Sequence, residues 1–240
     1  MIRLIAALAL LAFASACGEP VVVSGPSSTG PAQSAQDVPD ELRTSSQTGR
    51  AFASVVNRVE PIAERECRSR TTGVNCDFRI LIDDRPNQPA NAFQTLDENK
   101  RPLLIFTIAL LNDARNADEI AFVMGHEAAH HIRGHIARQQ QNAAAGAILL
   151  GGIASVIGGD LGSVEAAQQL GAQVGARSYS KDFELEADQL GTVITARAGY
   201  DPVRGAGFFT RIPDPGDRFL GTHPPNAQRI QIVRKTAAGL

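Results

Sequence analysis

The sequence predicts an α+β fold, compact and mostly helical, with a small β-sheet. Two observations carry this. Three short strand-like segments fall between residues 78 and 107, and the segments after them carry helical signals. Strands grouped first and helices after them is the ordering of an α+β domain. The chain has 240 residues, 43% hydrophobic and 20% charged, which is ordinary globular composition for one domain with extensions. With no tryptophan and 5% aromatic residues, the core falls to Ala, Leu, Ile and Val. No internal repeat is apparent. The net charge of -2 gives no strong pull on nucleic acid, and no nucleic-acid partner is expected.

Residues 1–16 read as a signal peptide: a short positive start at Arg3, an apolar run over 4–13, then Ala14-Ser15-Ala16. The run is too short for a normal span of about 20 residues, and the pattern is that of an export signal. Ala14-Ser15-Ala16 fits an ordinary cleavage site. The stretch also resembles a bacterial lipobox, in which Cys17 is lipidated and becomes the first mature residue. Cysteine arithmetic favours the second reading, because Cys67 and Cys76 can pair and leave Cys17 over. In the other reading Cys17 belongs to the discarded peptide. Residues 17–49 are rich in Pro, Ser, Gly, Gln and Thr and read as a flexible, lipid-anchored linker. Gly18 after Cys17 resembles the outer-membrane sorting pattern. The folded domain is placed at 50–240, in the periplasm and tethered to a membrane, the outer one favoured.

Residues 51–69 carry Phe52, Val55, Val56, Val59, Ile62 and Ala63 at helical spacing, with Pro61 as a candidate kink. A Cys67–Cys76 disulfide is expected to pin the end of this helix to the next strand, in an oxidising compartment. Residues 78–82, 91–95 and 103–107 are the strand candidates, and 108–112 a short helix. Asn116 reads as an N-cap with Glu119 as its capping-box partner, opening a helix that runs to about Ala137. Residues 139–162 are Ala- and Gly-rich and read as a packed helical hairpin or as a cover over the site. Helices follow at 163–176, at 181–198 closed by Gly199, and at 202–211 and 226–238.

The chemistry concentrates in His126-Glu127-Ala128-Ala129-His130. Side chains four apart share one helix face, so both imidazoles can reach one ion. Glu127, one step round, sits beside the open position. Imidazole nitrogen suits zinc, and a catalytic zinc takes three protein ligands plus water. Zinc lowers the pKa of its water toward roughly 7, and Glu127 passes the proton to the leaving amine. HExxH alone is moderately specific, since a surface helix can carry His and Glu by chance. Here it lies inside a capped apolar helix, after Gly125, with a third ligand candidate downstream. That ligand is Glu184, in Phe183-Glu184-Leu185-Glu186-Ala187-Asp188. Asp188 shares its face and can accept a hydrogen bond from a ligand imidazole. Gly191, a turn later, leaves that face bare for packing on the HExxH helix. Glu186 reads as a solvated charge, and so does His131. His135 is a candidate to lie near the site but is not assigned to the metal.

HExxH, then Glu-x-x-Ala-Asp, then Thr222-His223-Pro224 resembles the zinc peptidase family of HtpX, the CAAX prenyl endopeptidases and the Oma-type proteases, most closely its soluble periplasmic branch of BepA and LoiP. The likeness runs from about Asn91 to Arg229. It implies a compact gluzincin fold with one zinc ion, ligated by His126, His130 and Glu184, with Asp188 supporting them. It implies that His223 lies near the zinc, stabilising the oxyanion or capping the metal at rest, and that Arg229 matches the arginine usually found after that histidine. The long spanning helices of the membrane-bound relatives are absent from this sequence. The resemblance therefore implies a metalloendopeptidase of the envelope, in protein quality control, acting on unfolded or misassembled envelope proteins. It also suggests that the strand at 103–107 binds an extended peptide by edge pairing. The competing function is a zinc-containing lipoprotein acting as a chaperone or assembly factor with little proteolysis. Glu127 argues against it, because a structural zinc site needs no carboxylate beside an open position.

Overall fold

A computed structural model describes residues 45–178, 180–214, 216 and 224–240. The signal peptide, Cys17, most of the linker and His223 lie outside the described residues.

The first helix, α1 (Ser45–Arg70), begins before Ala51, so the last residues read as linker are helical. It runs through Pro61, which is exposed, and buries Phe52, Val55, Val59 and Ala63. Cys67 and Cys76 form the expected disulfide, with Cα atoms 5.7 Å apart, just before the first strand. Strands β1 (Arg79–Asp83), β2 (Ala92–Leu96) and β3 (Pro102–Thr107) make one sheet in the order β1-β3-β2. β3 pairs in parallel with β1 and antiparallel with β2. This corrects the edge-pairing expectation: β3 is the central strand, and its residues 103–107 are occupied on both sides. The edges of the sheet are β1 and β2, and β2 is the edge beside α3.

Thr107 caps α2 (Ile108–Asp113), its hydroxyl accepting from the Leu110 amide. Asn116 caps α3 (Ala117–Ile132), accepting from the Glu119 amide. The Glu119 carboxylate reaches back to the amide of Arg115 rather than of Asn116, and also pairs with Arg211. α3 is the spine of the molecule. Ile120, Phe122, Met124 and Ala128 on it are buried against α1, the sheet and α6 (Ser180–Arg197).

The expected extension of α3 to Ala137 does not occur. Gly134 adopts φ +67, a left-handed conformation that ends one helix and redirects the chain into α4 (His135–Val156). α4 and α5 (Leu161–Ser178) form a helical hairpin, but residues 139–162 supply only its first arm and the turn, and the second arm is the helix expected at 163–176. Its two helices meet backbone to backbone at Gly146 and Gly171, where any Cβ would overlap the facing carbonyl. Short α7 (Pro202–Gly205), a 3-10 turn (Ala206–Thr210) and α8 (Asn226–Ala237) close the core beside α3 and α6. No helix among the described residues is long and apolar enough to cross a membrane.

Candidate metal centre

α3 and α6 cross at two glycines. A Cβ on Gly191 would lie 2.9 Å from the His126 amide nitrogen, and one on Gly125 the same distance from the Gly191 carbonyl oxygen. This contact lets the backbones approach closely and brings Glu184, two turns before Gly191, over the HExxH face. His126, His130 and Glu184 converge, with candidate ligand atoms all within 4.8 Å of one another. The two Nε2 atoms are 3.0 Å apart. Glu184 oxygens lie 3.5 Å from His126 Nε2 and 3.3 Å from His130 Nε2. One Glu184 oxygen faces His126 and the other His130, so the three residues are placed to share one metal ion.

The imidazoles are held from behind. His126 Nδ1 is 2.9 Å from Asp188 Oδ1. Asp188, fully buried, takes two hydrogen bonds of 2.7 Å from Arg229, whose guanidinium lies over the Phe209 ring. Burial disfavours charge on Asp188, yet Arg229 holds its carboxyl below the ordinary range. Burial also works against a charged His126, but hydrogen bonds to Asp188 and Glu184 outweigh it and push its pKa up to about 10. The carboxylates around this point favour positive charge there, as a cation site requires. Glu127 is buried and lines the same cavity, and its charge acts on Arg229.

His130 is supported differently. Its Nδ1 is 2.8 Å from Nδ1 of His135, whose Nε2 is 3.2 Å from Glu186. Arg138 donates to both Glu186 oxygens and lies over the Phe183 ring, which stacks on His135. Burial and the neighbouring His130 push the pKa of His135 down to about 4. This corrects the reading of Glu186 as a solvated charge: it is half-buried and engaged. His131 is not solvated either. It is half-buried, packs edge-on against Phe78 and meets the Asn75 carbonyl at 2.7 Å. Burial lowers its pKa.

The cavity beside these groups measures about 740 Å³ and includes Phe93, Phe122, Phe183, Phe208 and Phe209 in its walls. Ala92, Phe93 and Gln94 of β2 form one side. Among sequence-expected residues, the structure brings together His126, Glu127, His130, Glu184, Asp188 and Arg229. His223 lies outside the described residues. Sequence reasoning placed His135 near the site without a role and missed Glu186, Arg138 and Phe183. Gly134 directly before His135 was the available signal, since a glycine after a basic helix end marks a C-terminus.

A model of peptidase family M48 matches residues 52–237. The chain is similar to the putative beta-barrel assembly-enhancing protease of Vibrio cholerae serotype O1, 33% identical over 147 residues, covering 52% of this chain and 28% of that protein. It is 27% identical over 191 residues to the beta-barrel assembly-enhancing protease of Escherichia coli strain K12, covering 70% and 36%. It is 30% identical over 135 residues to the mitochondrial metalloendopeptidase OMA1 of Arabidopsis thaliana, covering 55% and 27%. In these three pairings the aligned stretch is about a third or less of the relative's length.

Proposed function

The chain belongs to peptidase family M48, and on that premise we propose that it is a zinc-dependent endopeptidase with Glu127 as its general base. The observation that carries this reading is the convergence of His126, His130 and Glu184, whose candidate ligand atoms lie close enough to share one ion. Zinc, when bound there, acts as a Lewis acid toward water and the scissile carbonyl. The chain's own groups do the rest. Glu127, in the cavity wall beside both imidazoles, takes the proton of the attacking water and delivers it to the leaving amine. Asp188 and Arg229 fix the His126 ring so that its Nε2 faces His130 and Glu184, the residues that would hold the ion with it. The phenylalanines of the cavity accept apolar side chains of a peptide.

The β2 edge orients the backbone of that peptide. The Asn91 carbonyl accepts from the Thr107 amide. In an antiparallel pair this alternation turns the amides of Ala92 and Gln94 away from β3, toward the open edge beside the cavity. An extended substrate can pair there.

The setting we propose is the periplasm, with the chain lipid-anchored at Cys17, preferably to the outer membrane. Its substrates would be unfolded or misassembled envelope proteins. The lipobox-like N-terminus, the Cys67–Cys76 disulfide and the names of the bacterial relatives support this.

The test compares the wild type with Glu127→Gln and His223→Ala. Wild type and Glu127→Gln should each bind about one zinc, and Glu127→Gln should lose about 10²–10⁴-fold in cleavage of an unfolded protein such as casein. Equal cleavage by the two proteins refutes the assigned base. Absence of cleavage in the wild type and in His223→Ala would favour a zinc-bearing assembly factor.

A further inference from the structure

We propose that His135 is the positioning residue of His130, and that Glu186 fixes His135 in turn, so that each metal-facing imidazole has its own orienting partner. The proposal deepens the zinc peptidase reading and rests on it. The two imidazoles present the same geometry from opposite sides. Both Nε2 atoms point at Glu184 and at each other. Both Nδ1 atoms point away, that of His126 at a carboxylate and that of His130 at another imidazole.

The hydrogen bond between two imidazoles has a direction, and the chemistry sets it. A ring that gives its Nε2 lone pair to a cation carries its proton on Nδ1. His130 Nδ1–H therefore donates, and His135 Nδ1, at 2.8 Å, must accept. A neutral His135 accepting at Nδ1 carries its proton on Nε2, where the nearest acceptor is Glu186 Oε2 at 3.2 Å. Arg138, bonded to both Glu186 oxygens, keeps that carboxylate in place. Each of the three groups thus has one protonation pattern that satisfies its neighbours. The Phe183 ring, parallel to His135 within 9° and 4.6 Å away, prevents the imidazole from turning out of line. His135 is buried, although it opens a hairpin that is otherwise largely exposed. Phe183 directly precedes Glu184, so the wall that holds His135 and the third ligand move together. A carboxylate commonly orients a metal-bound imidazole directly. Here an imidazole is interposed between them.

The test uses the full chain and zinc alone. Zinc affinity is measured by competition with a chromophoric chelator for the wild type, His135→Phe, His135→Asn and Glu186→Leu. His135→Phe keeps an aromatic ring against Phe183 but cannot accept, and zinc binding should weaken about 10–100-fold. In His135→Asn, Oδ1 stands where Nδ1 lies, and affinity should return to within about threefold of the wild type by restoring that one bond. Glu186→Leu, at a half-exposed position, should lose several-fold and serves if His135→Phe does not fold. Imidazole nitrogen spectra of the zinc-loaded wild type should show His130 protonated on Nδ1 and His135 on Nε2. Unchanged affinity in His135→Phe and Glu186→Leu, or His135 protonated on Nδ1, overturns the relay while leaving the peptidase reading intact. Failure of the wild type to bind zinc overturns both.

Discussion

Replacing Gly191 by alanine tests how the site is assembled without touching any group that meets the metal. The added Cβ would sit 2.9 Å from the His126 nitrogen, 3.0 Å from its Cα and 3.1 Å from the Gly125 carbonyl carbon. All three neighbours are backbone of α3, so no side chain can swing away. Ordinary contact begins near 3.4 Å, and α6 must therefore back off by roughly 0.5 Å at this point. Overpacking of this kind costs about 1–3 kcal/mol. For a domain of this size that lowers Tm by about 2–4 °C per kcal/mol. Glu184 rides on the same face of α6, and metal sites tolerate errors of only about 0.2 Å in ligand distance. Zinc affinity should fall at least about tenfold, beyond what the loss of stability explains. Thermal unfolding followed by circular dichroism, with and without zinc, reads both effects. Gly152→Ala is the control, since a Cβ there meets nothing within 4 Å. It should stabilise α4 by about 0.5–1 kcal/mol. If Gly191→Ala unfolds like the wild type and binds zinc equally well, the close crossing of α3 and α6 does not set the site.

Two further outcomes follow from particular residues. Asp188 and Glu66 are both desolvated, but Arg229 for the first, and Arg70 and Arg197 for the second, hold their carboxyls below the ordinary range. A depressed acid stabilises the fold above its unfolded pKa and loses that contribution as pH falls, so Tm should drop below about pH 4. Glu66→Gln should flatten part of that acid limb, and an unchanged limb would contradict it. At the sheet edge, Gln94→Pro removes one outward amide and leaves the β3 ladder intact. It should raise KM for peptide cleavage several-fold with kcat nearly unchanged, and an unaltered KM would exclude β2 as the docking edge.

Much of this arrangement was legible in the sequence because it rests on local spacing. HExxH and Glu-x-x-Ala-Asp each place their residues on one helix face, and Gly125 and Gly191 marked where those helices touch. The disulfide followed from two cysteines near a turn. What was hidden depended on the path between elements. In an unbroken helix His135 would project from the side opposite His126, nine residues earlier at about 100° each. The left-handed turn at Gly134 swings it back against His130, and Glu186 acquires a partner through that turn. Strand order was hidden for the same reason: apolar content marks 103–107 as a strand, but only long-range pairing makes it central.

Zinc titration of the purified full chain, wild type beside Glu184→Ala, bears most directly on the metal centre. The wild type should take up one zinc per chain, and loss of the third ligand should weaken binding by about 10²-fold or more while the fold, read by circular dichroism, persists. Wild-type affinity in Glu184→Ala would mean that the imidazole pair and that carboxylate do not share an ion.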